Sequence, residues 1–346
     1  MSKEKAAILI VYTGGTIGMV RDRKTGALKP FPFDHIPEQV PELKKFGFTI
    51  KSYAFDPPID SSNVSPEVWI KLATIIESNY DEFDGFVVLH GTDTMAYSAS
   101  ALSFMLENLN KPVIFTGSQL PIDSPRTDGK ENLISSIEIA ADRNEKGAIV
   151  PEVSIFFENK LFRGNRTIKN NVEDFHAFRS PNYPVLAESG VKIKYNFPAI
   201  LYPAHKNKHL TVHKNLDTRI ALLKIFPGIN RLLVKSVIKT PGLKALIIET
   251  YGAGNAPSVK WLIDELKRAT LKGTTVLNIS QCRVGSVEMG TYETGLELSN
   301  AGIIGGNDIT TEAAVTKLMF LLGQRLSDQE LIKNLNTSLR GEITLL

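Results

Sequence analysis

With 346 residues the chain is longer than one hydrophobic core usually serves, so two domains are expected. Its 42% hydrophobic and 22% charged residues fit an ordinary globular protein, and a net charge of +3, with bases and acids interleaved, argues against a nucleic-acid partner. A single cysteine, Cys282, excludes an intrachain disulfide and fits a reducing compartment, and no apolar run is long enough to span a bilayer. The N-terminal run MSKEKAAILIVY is short and lacks a small-residue cleavage site, so the expected location is the cytoplasm, with no membrane partner.

The first predicted strand is Ile8–Tyr12, a continuous apolar and β-branched run that implies burial on both faces. The same signature returns at Gly85–Leu89, Val113–Thr116 and Val153–Phe157. Between these runs, Met95, Ala99, Leu102 and Leu106 recur at helical spacing, as do Leu133, Ile137 and Ala140, the latter helix with Asp128 or Thr127 as candidate cap. Strands alternating with helices predict parallel βαβ units and a doubly wound sheet. After about Ser180 the pattern gives way to a stretch rich in Pro, Lys and Asn, and then a second series begins. Its strands are expected at Arg219–Phe226, Ala245–Glu249 and Thr274–Ile279, with helices near Trp261–Ala269 and Thr311–Leu322. The expected architecture is therefore α/β in two domains. A larger N-terminal domain (1–190) carries a doubly wound, mostly parallel sheet flanked by helices. A linker (191–217) leads to a smaller C-terminal α/β domain (218–346) with a parallel sheet.

Four short stretches carry the chemistry. TGGTIG, Thr13 to Gly18, follows the first strand. A dinucleotide fingerprint would need a third glycine where Thr13 stands and a helix afterwards, whereas MVRDRKTGALKPFPFDH has no apolar face and contains Pro30 and Pro32. The turn instead suits a hydroxyl nucleophile, Thr16, lifted at the end of a strand and followed by a polar loop of lid length. HGTDT, His90 to Thr94, joins the strand Gly85–Leu89 to the next helix. Taken alone, Thr92, Asp93 and Thr94 would read as a helix cap. Two Gly-Thr turns at the carboxyl ends of parallel strands weaken that reading, because ligands bind there in open α/β sheets. In RGNRTIK, Arg163 to Lys169, the lysine can serve proton transfer if it is pressed against a buried aspartate, although alone the segment reads as a solvated loop. DSS, Asp60 to Ser62, offers groups that can hold an ammonium or carboxylate, and alone it reads as a helix-cap region.

Together these stretches resemble the L-asparaginase/glutaminase family of bacterial amidohydrolases, and within it the cytosolic type I branch. YTGGTIG at Tyr12–Gly18 and LHGTDTMAYSASAL at Leu89–Leu102 are long and specific, with TGSQ (Thr116–Gln119), RGNRT (Arg163–Thr167) and YGAGNAP (Tyr251–Pro257) in support. The likeness covers essentially the whole chain. It implies an asparagine-hydrolysing enzyme with Thr16 as the nucleophile that forms an acyl ester. Thr92 and Asp93 match the second threonine and its aspartate, and Lys169 the lysine paired with that aspartate. Asp60 and Ser61, with Ser62, match the segment that grips the substrate's α-amino and α-carboxylate groups. Asn255 matches a residue reaching the neighbouring subunit's site. The family uses no cofactor or metal and acts as a homo-oligomer, dimer or tetramer. Members usually carry a lid-loop tyrosine that hydrogen-bonds the nucleophile; here the matching RKTGALKPF has Ala27 and Leu28. Some cytosolic members bind a second asparagine between subunits, with a threonine after RGNRT and an arginine before the S/T-Y-G turn; this chain has Ile168 and Glu249 there.

Three other features are set aside. His205, His209 and His213 have the spacing of a helical metal face, but Pro203, Thr211 and Val212 argue against a helix. His90, on the end of a buried strand, reads as a satisfied structural histidine, and Cys282 as a small buried side chain. Two rival functions remain. Amidotransferase subunits of this kind carry an extra N-terminal domain, whereas this sequence begins almost directly on the first strand. A non-catalytic amino-acid sensor would not need Thr16, Thr92, Asp93 and Lys169 together.

Overall fold

The computed structural model describes residues 5–21, 28–30, 40–203, 208–290 and 293–345. The chain forms two compact units, Met1–Lys214 and Asn215–Leu346, and each is described by itself.

In the first unit an eight-stranded sheet runs in the order Lys194–Tyr195, Ala187–Glu188, Lys160–Arg163, Val153–Phe157, Val113–Thr116, Gly85–Leu89, Ala7–Tyr12, Thr49–Ala54. The last five strands are mutually parallel, and the first three add in antiparallel fashion at one edge. Ile8, Ile10, Tyr12, Val87, Leu89, Ile114 and Phe156 pack on one face with Leu133, Ile137 and Ala140 of the helix Gly129–Ala141. The alternate residues Leu9, Val11, Phe86 and Val88 are buried as well. Both faces are thus covered, which is why these strands read as unbroken apolar runs.

From Ala7–Tyr12 the chain continues to Thr49–Ala54 on one side, while Gly85–Leu89, on the other side, continues away to Val113–Thr116. The connections part between the carboxyl ends of Ala7–Tyr12 and Gly85–Leu89, and such a switch point opens a crevice.

The structure adds detail to two local expectations. Thr127 Oγ1 accepts the Gly129 N–H at 3.0 Å, whereas the Asp128 carboxylate caps no N–H of the helix and accepts the N–H groups of Gln119 and Leu120 together with the Asn132 side-chain amide at 3.3 Å. Within 191–214, read from composition as linker with some irregular strand, Lys194–Tyr195 pairs with Ala187–Glu188 and Thr211–Val212 pairs with Leu106–Glu107. The segment's backbone groups find partners on the first unit, as in His213 N–H to Met105 O at 2.9 Å, so a polar composition does not leave it unstructured. The boundary between the units falls at Lys214/Asn215.

The second unit holds a parallel sheet in the order Ile220–Lys224, Ala245–Thr250, Thr275–Ser280, Ile304–Gly305, with helices Arg231–Ile238, Lys260–Leu271 and Thr311–Gly323. Leu246, Ile248 and Val276 pack with Val234, Leu262 and Leu266 in its core. Cys282 departs from expectation: it is exposed, because the apolar run ends at Ile279 and the chain bends away beyond Ser280.

Candidate active site

Three turns converge at the switch point. The first follows Tyr12, where Thr13 donates both its N–H (2.9 Å) and its hydroxyl (3.0 Å) to Leu89 O, tying the end of one strand to the end of its neighbour. Gly15 then takes φ +90°, and a Cβ there would stand 2.5 Å from Gly91 N, so only glycine allows the two turns to touch. Thr16 opens the single 3-10 turn Thr16–Gly18, with Gly18 N–H returning to Gly15 O at 3.2 Å. Behind it lies Tyr12, whose hydroxyl reaches Gly18 O at 3.3 Å and Gly15 O at 3.4 Å and is pushed up to about 12 by burial.

The second turn is Asp60–Ser62. Ile59 N–H donates to Thr13 O at 2.7 Å, so this turn is fastened to the first. The Asp60 carboxylate accepts Ser62 N–H and Ser62 Oγ–H, both at 2.8 Å, and these donors, the backbone one foremost, hold its carboxyl below the usual range. Ser61 is buried and its carbonyl accepts the Thr94 hydroxyl at 2.7 Å.

The third turn is His90–Thr94. None of its side chains caps the helix Met95–Met105 that follows, so capping does not explain these residues. Instead Lys169 Nζ donates to Thr92 Oγ1 at 2.8 Å and pairs with Asp93 Oδ1 at 2.6 Å. Lys169 stands in the short strand Ile168–Lys169, which pairs with Phe178–Arg179. Gln119 steadies the loop beyond it, donating to Val172 O and Asp174 O at 3.1 Å each. The Lys169 side chain is 15% exposed and that of Asp93 63%, so the lysine and not the aspartate is the sheltered partner.

The turns bearing Thr16, Asp60–Ser62 and Thr92–Asp93 thus meet, with Lys169 bound to the last. Among the described residues no side chain hydrogen-bonds the Thr16 hydroxyl, and Ala27, in the region matching the family's lid tyrosine, lies outside the described residues. Asn255 lies in the second unit, just beyond Ala245–Thr250, where its Oδ1 accepts the Thr294 hydroxyl at 2.8 Å. His209 and His213 flank the short strand Thr211–Val212 rather than a helix, and His213 Nε2 contacts Glu107 Oε2 at 2.7 Å; His205 lies outside the described residues. No group of three or more metal-ligating residues occurs among the described residues.

Two family models match most of the sequence: "Asparaginase, N-terminal" over residues 7–201 and "Glutaminase/Asparaginase C-terminal domain" over residues 219–335. The chain belongs to the asparaginase family. Among asparaginase-family relatives, L-asparaginase 1 of Escherichia coli K12 is 46% identical, with 99% of each chain covered. The 60 kDa lysophospholipase of Mus musculus is 40% identical over 98% of this chain but only 62% of its own length. The crystal structure of L-asparaginase I from Vibrio cholerae superposes with a TM-score of 0.88 at 40% identity, covering 99% of this chain and all of that one.

Sequence reasoning did not find the supports behind the crevice. Tyr12 was legible only as a strand residue. Asp128 and Gln119 bear on loops that folding brings to them, and no spacing in the sequence announces such contacts.

Proposed function

We propose that the chain hydrolyses L-asparagine to L-aspartate and ammonia, with Thr16 as the nucleophile of a two-step reaction. The observation that supports it most is the Lys169–Thr92–Asp93 cluster beside the Gly15–Thr16 turn, in a chain whose full length matches L-asparaginases.

Thr16 Oγ attacks the side-chain carbonyl carbon, and its proton passes to the crevice cluster. The C–N bond breaks as the leaving nitrogen takes up a proton and departs as ammonia. Water, activated by the same cluster, then attacks the ester carbonyl, freeing aspartate and restoring the Thr16 hydroxyl. Asp60 offers a carboxylate kept ionised by Ser62, suited to the substrate's α-ammonium, while Ser61 and Ser62 shape the carboxylate end. The backbone N–H groups of Thr16 and Thr92, which no described residue accepts, suit the developing oxyanion. In this reading the protein is a cytoplasmic homo-oligomer, dimer or tetramer, whose Asn255 reaches a neighbouring subunit's site.

The lysophospholipase relative supports a second reading less well, because its name describes a chain of which this one covers 62%, whereas the full-length matches are L-asparaginases. The deciding experiment measures ammonia release from free asparagine and glutamine. Thr16→Ala is expected to bind aspartate yet lose nearly all turnover; wild-type-like turnover by that variant refutes the assignment.

A further inference from the structure

Beside the crevice lies a buried polar chain that the reaction scheme leaves unused. His90 is 1% exposed and Ser98 fully buried, and Trp69, from the helix Pro66–Ser78, is 5% exposed. His90 Nδ1 stands 2.7 Å from Gly91 O, His90 Nε2 stands 2.9 Å from Ser98 Oγ, and Trp69 Nε1 stands 3.0 Å from the same Oγ.

The direction of every bond in this chain follows from chemistry. A carbonyl only accepts, so Nδ1 carries the hydrogen. The ring is neutral, since burial lowers its protonation to about pH 4, so Nε2 is an acceptor and the Ser98 hydroxyl donates to it. Indole nitrogen only donates, so Trp69 gives its hydrogen to Ser98 Oγ. Trp69 therefore orients the serine, the serine selects the histidine tautomer, and the histidine holds Gly91 O.

That carbonyl shares a planar unit with the Thr92 N–H, and in a trans peptide the two point in opposite directions. Holding Gly91 O toward the buried ring turns the Thr92 N–H away from it, and no described residue accepts that hydrogen. The surrounding packing leaves the plane little freedom. A Cβ on Gly91 would lie 2.5 Å from Ser61 Oγ, and one on Gly15 would lie 2.5 Å from Gly91 N.

We propose that His90 is a positioning residue: through Gly91 O it fixes the Gly91–Thr92 peptide plane and thereby holds the Thr92 N–H where the oxyanion develops. The inference rests on reading the crevice as the asparagine-hydrolysing site.

The test compares His90→Leu, His90→Asn and Ser98→Ala with the wild type in steady-state ammonia release and in aspartate binding. The Asn side chain places an amide N–H close to the Nδ1 position, whereas Leu offers none. A misaimed oxyanion donor predicts a kcat loss for His90→Leu on the order of 10–100-fold, with KM and aspartate affinity within about threefold. His90→Asn recovers most of that loss. Ser98→Ala, which frees the ring to turn, loses about 3–10-fold in kcat, and Ser98→Thr restores it. Unchanged kcat in His90→Leu, equal losses in the Leu and Asn variants, or a loss confined to KM overturns the proposal. Should His90→Leu fail to fold, the Ser98 pair decides, and full kcat in Ser98→Ala overturns it. An inactive wild type, or an active Thr16→Ala, instead removes the asparaginase reading itself.

Discussion

Replacing Lys169 by Met separates a catalytic role from a structural one, because the structure bounds the structural part. The Lys169 Nζ–Asp93 Oδ1 separation is 2.6 Å, but the Asp93 side chain is 63% exposed. At that distance the Coulomb attraction in a water-like medium is roughly 1.6 kcal/mol. Side-chain ordering and screening reduce exposed pairs of this kind to about 0.2–1 kcal/mol. A positioned proton-transfer group contributes about 10²–10⁴ in rate, or roughly 2.7–5.4 kcal/mol of barrier. Lys169→Met is therefore expected to lower kcat by about 10²–10⁴ while the free energy of unfolding changes by less than about 1 kcal/mol. Because one ammonium serves both Thr92 and Asp93, Asp93→Ala should cost a comparable amount. The double variant Asp93→Ala/Lys169→Met should be little slower than the worse single variant. Ammonia release under saturating asparagine and urea unfolding of the same preparations give both quantities. Fully multiplicative kcat losses, or activity losses that track losses of stability, would refute a shared proton relay.

Two further outcomes are expected. The unfolded chain binds a proton on His90 below about pH 6.5, the folded chain only below about 4, so stability falls as pH drops through that window. The group is fully buried and the gap corresponds to about 3 kcal/mol; urea unfolding at pH 7 and pH 4.5 should show a larger acid loss for the wild type than for His90→Asn, and equal losses contradict the assignment. The rate should depend hyperbolically on asparagine concentration, because Ile168 cannot hydrogen-bond an effector and Glu249, held by Thr311 Oγ1 at 2.9 Å and facing Lys224 at 3.6 Å, repels an α-carboxylate. That exchange costs on the order of 3 kcal/mol, enough to cancel a typical allosteric coupling of about 1–3 kcal/mol; a Hill coefficient well above one on the purified protein refutes it.

The sequence by itself determined the strand runs, the parallel α/β class and the turns proposed to carry chemistry. Each of these is written in local signals: unbroken apolar runs for strands buried on both faces, glycines where the chain reverses, and hydroxyl and acidic residues at strand ends. Thr16 and Thr92–Asp93 could be proposed for that reason, whereas Asp60–Ser62 and Lys169, which alone read as a cap region and a solvated loop, became candidates only through the resemblance to a family. Only the tertiary structure decided which side chains hold these turns in place. Of the two candidate caps Asp128 and Thr127, the Asp128 carboxylate is taken by Gln119 and Leu120 N–H and Thr127 accepts the Gly129 N–H, and the exposure of Asp93 against the shelter of Lys169 follows from the packing around them. Trp69, Ser98 and His90 lie on two helices and a strand end, and their common chain of hydrogen bonds exists only once both helices pack on the sheet. Hydrogen bonds between distant residues are fixed by where folding places donors and acceptors, and no local periodicity encodes that.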